Sequence, residues 1–284
     1  MTNPQSLTRR HFLWSASVFV AALACRTTST GNNCYPEAVR AKRPAAYWRL
    51  GERNAPEAVD ASGHGHNGSY HGKVLFGESG AIVGDPDTAI AVAPPGAYVE
   101  IAHSPQFSQP DSGQGLTVEV WMRPDVLTFP GETEDPYVMW LGKGENDQME
   151  WGFRFYSKNS TRPNRISAYI WDADGGLGSG AYFQDELKAH EWLHVVGVFD
   201  PGSADNPGAG VSIYKDGQLR GGPATSKGAL YSTYSIRPRV GTAPVRLGTR
   251  DLASFLTGGL DEVAIYPRKL TAAEIQENYR RSKE

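Results

Sequence analysis

The sequence predicts an all-β fold, two antiparallel sheets packed face to face and closed by one short C-terminal helix. Three observations carry that prediction. Short runs with a period of two recur along the chain, as where Val263 and Ile265 alternate against the other face of residues 258–266. Turn formers and strand-forming aromatics are abundant, with 32 Gly, 19 Pro, 13 Tyr and 7 Trp in 284 residues. No helix-period segment lies between Gly51 and Leu270, so the strand-helix-strand alternation of a parallel sheet is excluded. With 39% hydrophobic and 21% charged residues, the chain can bury one large core or two small ones.

The first 24 residues are predicted to be an address rather than part of the fold. Thr8-Arg9-Arg10-His11-Phe12-Leu13 carries the paired arginines of a twin-arginine export signal, and the apolar run 12–24 is too short for a convincing membrane span. The predicted destination is a bacterial periplasm or a membrane-anchored place in the cell envelope. Ala22-Leu23-Ala24-Cys25 reads in two ways: cleavage after Ala24, or lipidation of Cys25 as the first mature residue. In the first case Cys25 and Cys34 are able to pair; in the second Cys34 is a free thiol, and the lipid on Cys25 is the chain's only contact with a membrane. Residues 25–40 read as a tether, flexible over its Thr, Ser, Gly and Asn, and 41–284 as the single folded domain.

A short helical lead over 35–45, running from the tether into the domain, precedes strands predicted at 46–52, 98–101, 116–123, 138–142, 151–156, 165–171, 192–200, 211–215, 245–248 and 258–266. The loop Asp60-Ala61-Ser62-Gly63-His64-Gly65-His66-Asn67-Gly68 is expected to use positive φ at its glycines and at Asn67-Gly68. Asp216-Gly217 is the strongest hairpin turn, and Thr271 with Glu274 forms a capping box flanked by a Leu270–Ile275 staple, so one helix to Tyr279 ends the chain. The formal net charge is −3 and no Lys/Arg run follows residue 10, which argues against nucleic acid as a partner.

Six blocks in order carry a resemblance. Tyr47-Trp48-Arg49-Leu50-Gly51-Glu52, the glycine-rich loop from Asp60, Leu116-Thr117-Val118-Glu119-Val120-Trp121-Met122-Arg123-Pro124, Trp192-Leu193-His194-Val195-Val196, Tyr214-Lys215-Asp216-Gly217 with Arg246-Leu247-Gly248, and Gly259 to Tyr266 resemble a laminin G-like domain of the concanavalin A-like jelly-roll superfamily. The resemblance covers nearly all of the chain after the tether. It implies a non-catalytic binding module for a glycan or a cell-surface protein, with a structural calcium ion beside the last strand. Carried over by position, Asp60, His66 and Asp261 are the implied ligands, His66 and Gly65 through backbone carbonyls; His64 stands where the family more often has Asn. The chemistry is reasonable, because calcium takes six to eight oxygens and a glycine-rich loop turns carbonyls inward. The alternative is that Asp60 caps a turn and Asp261 accepts from loop amides, with no metal.

Other motifs offer competing chemistry. His64, His66 and His71 lack further soft ligands nearby for a zinc or copper site. Glu145, Asp147 and Glu150 have the spacing of the catalytic strand of glucanases in the same superfamily, which makes a glycan-acting hydrolase the runner-up, but polar Asn146 and Gln148 between them favour a solvated loop. Trp171, Asp172, Asp174 and Tyr182 mark the predicted ligand edge, with Trp151 and Tyr156 as neighbours, because an exposed ring beside carboxylates suits a sugar. Trp48, Trp121 and Trp192 are expected as core or sheet-packing residues, and His194 as a satisfied strand histidine.

Overall fold

The computed structural model describes residues 1, 35–54, 56–108, 114–129, 136–145, 147–172, 178–201, 210–225, 228–230 and 238–284. The export signal, Cys25, Cys34 and Asp174 lie outside the described residues. Asn33–Glu284 is one compact unit. It begins with helix α1 (Tyr35–Ala41), followed by strands β1 (Ala46–Trp48), β2 (Glu57–Ala58), β3 (Gly68–His71), β4 (Leu75–Ser79), β5 (Thr88–Val92), β6 (Tyr98–Ile101), β7 (Leu116–Pro124), β8 (Tyr137–Lys143) and β9 (Trp151–Tyr156). Then come β10 (Ile166–Trp171), β11 (Gly178–Phe183), β12 (Leu193–Asp200), β13 (Gly210–Lys215), β14 (Gln218–Gly221), β15 (Ala229–Leu230), β16 (Val245–Leu247), β17 (Gly258–Tyr266) and helix α2 (Ala272–Arg281).

Among the described residues the strands make two antiparallel sheets. One, of eight strands, runs β14-β13-β12-β7-β17-β5-β4, with β1 also paired to β17. The other, of nine, runs β15-β11-β10-β9-β8-β16-β6-β3-β2. The period of two decides the layers. Ile166, Ala168 and Ile170 of β10 and Phe153 and Phe155 of β9 enter the core between the sheets, while Tyr169 and Trp171 pack in a separate cluster on the outer face. The other sheet has its own outer cluster, where Tyr47, Trp121, Val196, Tyr214 and Tyr266 are covered by Tyr35 and Val39 of α1 and Ile275 of α2. Each of these large apolar side chains stabilises the fold by about 1.5–3 kcal/mol on burial.

The local signals act as expected where they are self-contained. Thr271 Oγ1 accepts from the Glu274 amide at 3.2 Å and Glu274 Oε2 accepts from the Thr271 amide at 2.8 Å, the reciprocal capping box. Asp216 (φ 51°) and Gly217 (φ 74°) turn β13 into β14, with Lys215 facing Gln218. Strands 98–101, 151–156 and 258–266 fall on their predicted bounds. Two expectations need correction. Gly63 and Gly65 do adopt positive φ, but Gly68 opens β3, and neither it nor Asn67 is left-handed. The strand predicted over 46–52 stops at Trp48, and Leu50 turns away at φ 61°. Trp48 and Trp121 are fully buried, and Trp192 packs partly buried against the outer cluster of the eight-stranded sheet, with the Arg123 guanidinium 5.3 Å over its ring, as core or sheet-packing residues should. Outside α1 and α2 the described chain has one single-turn 3-10 helix, at Pro105–Phe107. No helix among the described residues is long and apolar enough to cross a membrane.

Candidate functional site

The outer face of the nine-stranded sheet is rich in aromatic and guanidinium groups. β8 contributes Tyr137 and Met139, β9 contributes Arg154 and Tyr156, β10 contributes Tyr169 and Trp171, and β11 contributes Tyr182, all at alternate positions to the core residues. Antiparallel pairing brings them into rows: Tyr137 faces Tyr156, Met139 faces Arg154, and Ser167 faces both Arg154 and Tyr182. The Arg154 guanidinium stands 4.4 Å from the Tyr137 ring centre and 5.8 Å from those of Tyr156 and Tyr169, and donates to Tyr156 Oη at 3.0 Å. Arg162 donates to the same hydroxyl at 2.9 Å, and Arg165 lies 3.9 Å over the Tyr182 ring.

Arg250 crosses this face from the loop after β16. Its stem lies where Gly142 and Gly152 leave room: a Cβ at Gly142 would meet its Cγ at 2.9 Å, and one at Gly152 would meet its Cδ at 3.2 Å. Its guanidinium reaches 5.3 Å from the Trp171 ring, donates to Gly144 O at 3.3 Å and pairs with Asp251 at 2.6 Å. Burial and the nearby Arg154 charge hold the Arg250 pKa below its ordinary value in spite of Asp251.

The predicted ligand edge is therefore built differently from its sequence reading. Trp171 is 6% exposed, packed on Tyr169 at 5.0 Å and capped by Arg250, so it presents no open ring. The exposed ring is Tyr137, at 42%. Asp172 bridges to Pro238 and Tyr182 is half-buried, so both stay at the margin of this face. Trp151, named as a neighbour, points into the core and donates to Phe107 O at 2.8 Å; Tyr156 is part of the face. Tyr137, Arg154 and Arg250 were missed because cross-strand neighbours are distant in sequence.

The residues implied for calcium sit in amide-rich surroundings. Asp60 Oδ1 accepts from the amides of Tyr47 (3.0 Å) and Ser62 (2.9 Å), and Oδ2 from that of His66 (3.0 Å). Burial alone would raise the Asp60 pKa, yet these bonds lower it, so the carboxylate is already satisfied. The His66 carbonyl accepts from Trp48 Nε1 at 2.7 Å and its ring packs edge-on to Phe107 at 4.8 Å. Asp261 Oδ2 accepts from the Ala81 amide at 2.7 Å, and burial followed by the Glu262 charge pushes its pKa well up. Asp60 and Asp261 share no partner, and no three His, Cys, Asp or Glu side chains among the described residues form a group able to hold a metal. This donor set does not fit a calcium shell. The histidine trio fits a metal no better: His64 Nδ1 lies 3.0 Å from Ala45 O and His71 stacks on Tyr98 at 4.6 Å.

Glu145, Asp147 and Glu150 occupy the hairpin loop between β8 and β9 rather than one strand face. Glu145 pairs with Arg246 at 2.5 Å, Asp147 turns at φ 67°, and Glu150 is buried in an ion pair with Lys143. Two further carboxylates are buried in structural networks. Glu119 accepts from Tyr35 Oη (3.2 Å), His194 Nε2 (2.7 Å), Tyr266 Oη (2.7 Å) and Asn278 Nδ2 (2.9 Å), so His194 is a buried strand histidine met by a carboxylate at Nε2, while its Nδ1 has no partner among the described residues. Glu262 accepts from Tyr47 Oη and from Arg49 at 2.8 Å, and Arg49 also pairs with Asp85 and Asp87. Glu119, His194 and Glu262 are at most 1% exposed, so none can touch a substrate.

Two facing antiparallel sheets with a side-chain-lined outer face define a jelly-roll domain of the concanavalin A-like kind. The chain belongs to the concanavalin A-like lectin/glucanases superfamily, a laminin G-type family model of that description matching residues 95–276. No curated protein sequence matches. Among solved structures it is similar to the receptor-binding domain of botulinum neurotoxin type G (TM-score 0.55, 14% identity, 84% of this chain and 51% of that one). It is also similar to the binding domain of botulinum neurotoxin DC in complex with rat synaptotagmin II (0.59, 11%, 86% and 52%). A third is a type C neurotoxin structure whose cell entry depends on two ganglioside molecules (0.59, 11%, 87% and 53%). The chain spans about half the length of these domains, and the likeness is one of fold.

Proposed function

We propose that this chain is a non-catalytic binding module for a glycan, exported by the twin-arginine route and held at the cell envelope. The observation that carries the reading is the exposed Tyr137 ring over Arg154 on the outer face of the nine-stranded sheet, where a flat ring meets the carbon face of a sugar and neighbouring N–H groups meet its hydroxyls. The superfamily includes lectins, and the neurotoxin domains of similar fold bind receptors, one with synaptotagmin and one through gangliosides. A protein ligand is the second reading, carried by the synaptotagmin complex. The position of Glu145, Asp147 and Glu150 in a hairpin loop favours binding over hydrolysis.

A glycan array probed with the full chain and with Tyr137→Ala tests the reading. Binding that Tyr137→Ala abolishes supports it; binding indifferent to Tyr137 moves the site elsewhere, and an array with no signal beside capture of a protein ligand replaces the glycan with a protein. Membrane fractionation of cells expressing Cys25→Ser tests the anchor: a shift from the membrane to the soluble envelope fraction supports lipidation, and an unchanged distribution removes it.

A further inference from the structure

We propose that Arg154 and Arg250 make this face selective for an acidic saccharide, whose carboxylate or sulfate lies against the two guanidiniums while its ring packs on Tyr137. The inference rests on the binding role proposed above and names the ligand class of the same face.

Three observations carry it. First, Arg154 makes no ion pair among the described residues. Its contacts are a Tyr hydroxyl, the Met139 sulfur at 3.5 Å and three aromatic rings, which leaves donors of its five N–H groups over. Aromatic rings on the negative side of their quadrupole hold a guanidinium in place without neutralising it. Second, Arg250 is 5% exposed, yet its Nε is a buried donor with no partner. A buried donor on a charged group without a partner is costly, and an acceptor arriving beside it lowers that cost. Third, the two guanidiniums are neighbours: the Met139 Cε and Arg250 Cδ both lie over Gly152, and Met139 Sδ touches Arg154 Nε. Asp251 is the single carboxylate that pairs with either of them among the described residues. Two adjacent cations sharing one described anion repel each other, and a bound oxyanion offsets that repulsion while accepting the spare N–H groups in parallel, the geometry for which a planar guanidinium is suited.

The remaining features choose a saccharide over a bare anion. Tyr137 is the exposed ring beside the pair, so the ligand needs an apolar face within reach of its charged group. A pyranose bearing a carboxylate or a sulfate has both; a neutral sugar leaves the guanidiniums unmet.

Isothermal titration of the full chain against oligogalacturonate, a sulfated disaccharide, cello-oligosaccharide and an acidic hexapeptide tests the proposal. The expected result is binding of the carboxylated or the sulfated sugar, weakened by added salt and about tenfold or more weaker in Arg154→Gln. The two acidic sugars distinguish the source of the oxyanion. Arg154→Lys is expected to recover only part of the loss, because an ammonium keeps the charge but not the parallel donors. Arg154 is partly exposed and tolerates substitution in the fold more readily than Arg250, and circular dichroism of each variant separates lost binding from lost folding. If cello-oligosaccharide binds as well as the acidic sugars and Arg154→Gln is indifferent, the selectivity is wrong while the binding module stands. If only the peptide binds, or nothing does, both are overturned.

Discussion

Glu262 occupies the bulge of β17 at φ 51°, where the register between β17 and β7 shifts. The bulge places two successive carboxyl groups, Asp261 and Glu262, in the interior, each 3% exposed or less. Burial pushes the Glu262 pKa up to about 7 although Arg49 pulls it down, and Asp261 beside it is raised as well. A carboxyl whose folded pKa is raised stabilises the fold fully below its unfolded value and loses that contribution as pH climbs through the folded one. The protein is therefore expected to lose melting temperature between about pH 4.5 and 7 from this site. In Glu262→Gln the slope over that window should flatten, since an amide does not ionise; a slope equal to that of the unsubstituted protein would remove Glu262 as its origin. Glu119 and Glu274 act with the opposite sign. Hydrogen bonds from His194, Tyr266 and Asn278 lower the first despite its burial, and Arg268 lowers the second to about 2, so their stabilisation is lost in acid below the ordinary carboxylate range. Neither pair of signs was legible in the sequence, where Asp261-Glu262 reads as two carboxylates at a strand's entry and nothing local announces the bulge that buries both.

At the scale of elements, α1 and α2 are held on the eight-stranded sheet by one buried carboxylate. Tyr35 comes from α1, His194 from β12, Tyr266 from β17 and Asn278 from α2, and all four donate to Glu119 of β7. Glu119→Ala leaves these donors buried and unpaired, and is expected to cost about 3–5 kcal/mol in urea unfolding. An effect within the range of a surface substitution would show that the helices dock through their apolar faces alone. One sign of this network was present in the sequence: Glu119 is the single charged residue inside Leu116-Thr117-Val118-Glu119-Val120-Trp121, a run otherwise suited to burial. Helix caps and the Asp216-Gly217 hairpin were legible because each is decided by residues a few positions apart. β4 was not, since it reads Leu75-Phe76-Gly77-Glu78-Ser79 with no residue fully buried, and β11 was not, because Gly178, Ser179 and Gly180 carry no strand-forming side chains. Both exist through pairing, β4 with β5 and β11 with β10.

For the molecule as a whole, the calcium implied by resemblance is a question of stability. A ligand that binds only the native state raises its melting temperature with concentration. Because Asp60 already accepts three amides and Asp261 one in a separate loop, unfolding curves in excess EDTA and in excess calcium are expected to coincide. A calcium-dependent rise that vanishes in Asp261→Ala would establish the late-strand ion instead.

The fold class was determined by the sequence itself. Alternation, turn residues and ordered motif blocks are local patterns, and burial of one strand face makes each of them specify a layer. The candidate site was decided by the tertiary structure alone. Tyr137, Arg154, Tyr169 and Arg250 come from β8, β9, β10 and the loop after β16, and only strand order and register set them side by side. The same packing buried Trp171, the ring that sequence places at the ligand edge, because an outward side chain in mid-sheet is covered once its neighbours are large. Side-chain chemistry is written along the chain, but exposure and proximity belong to the sheet.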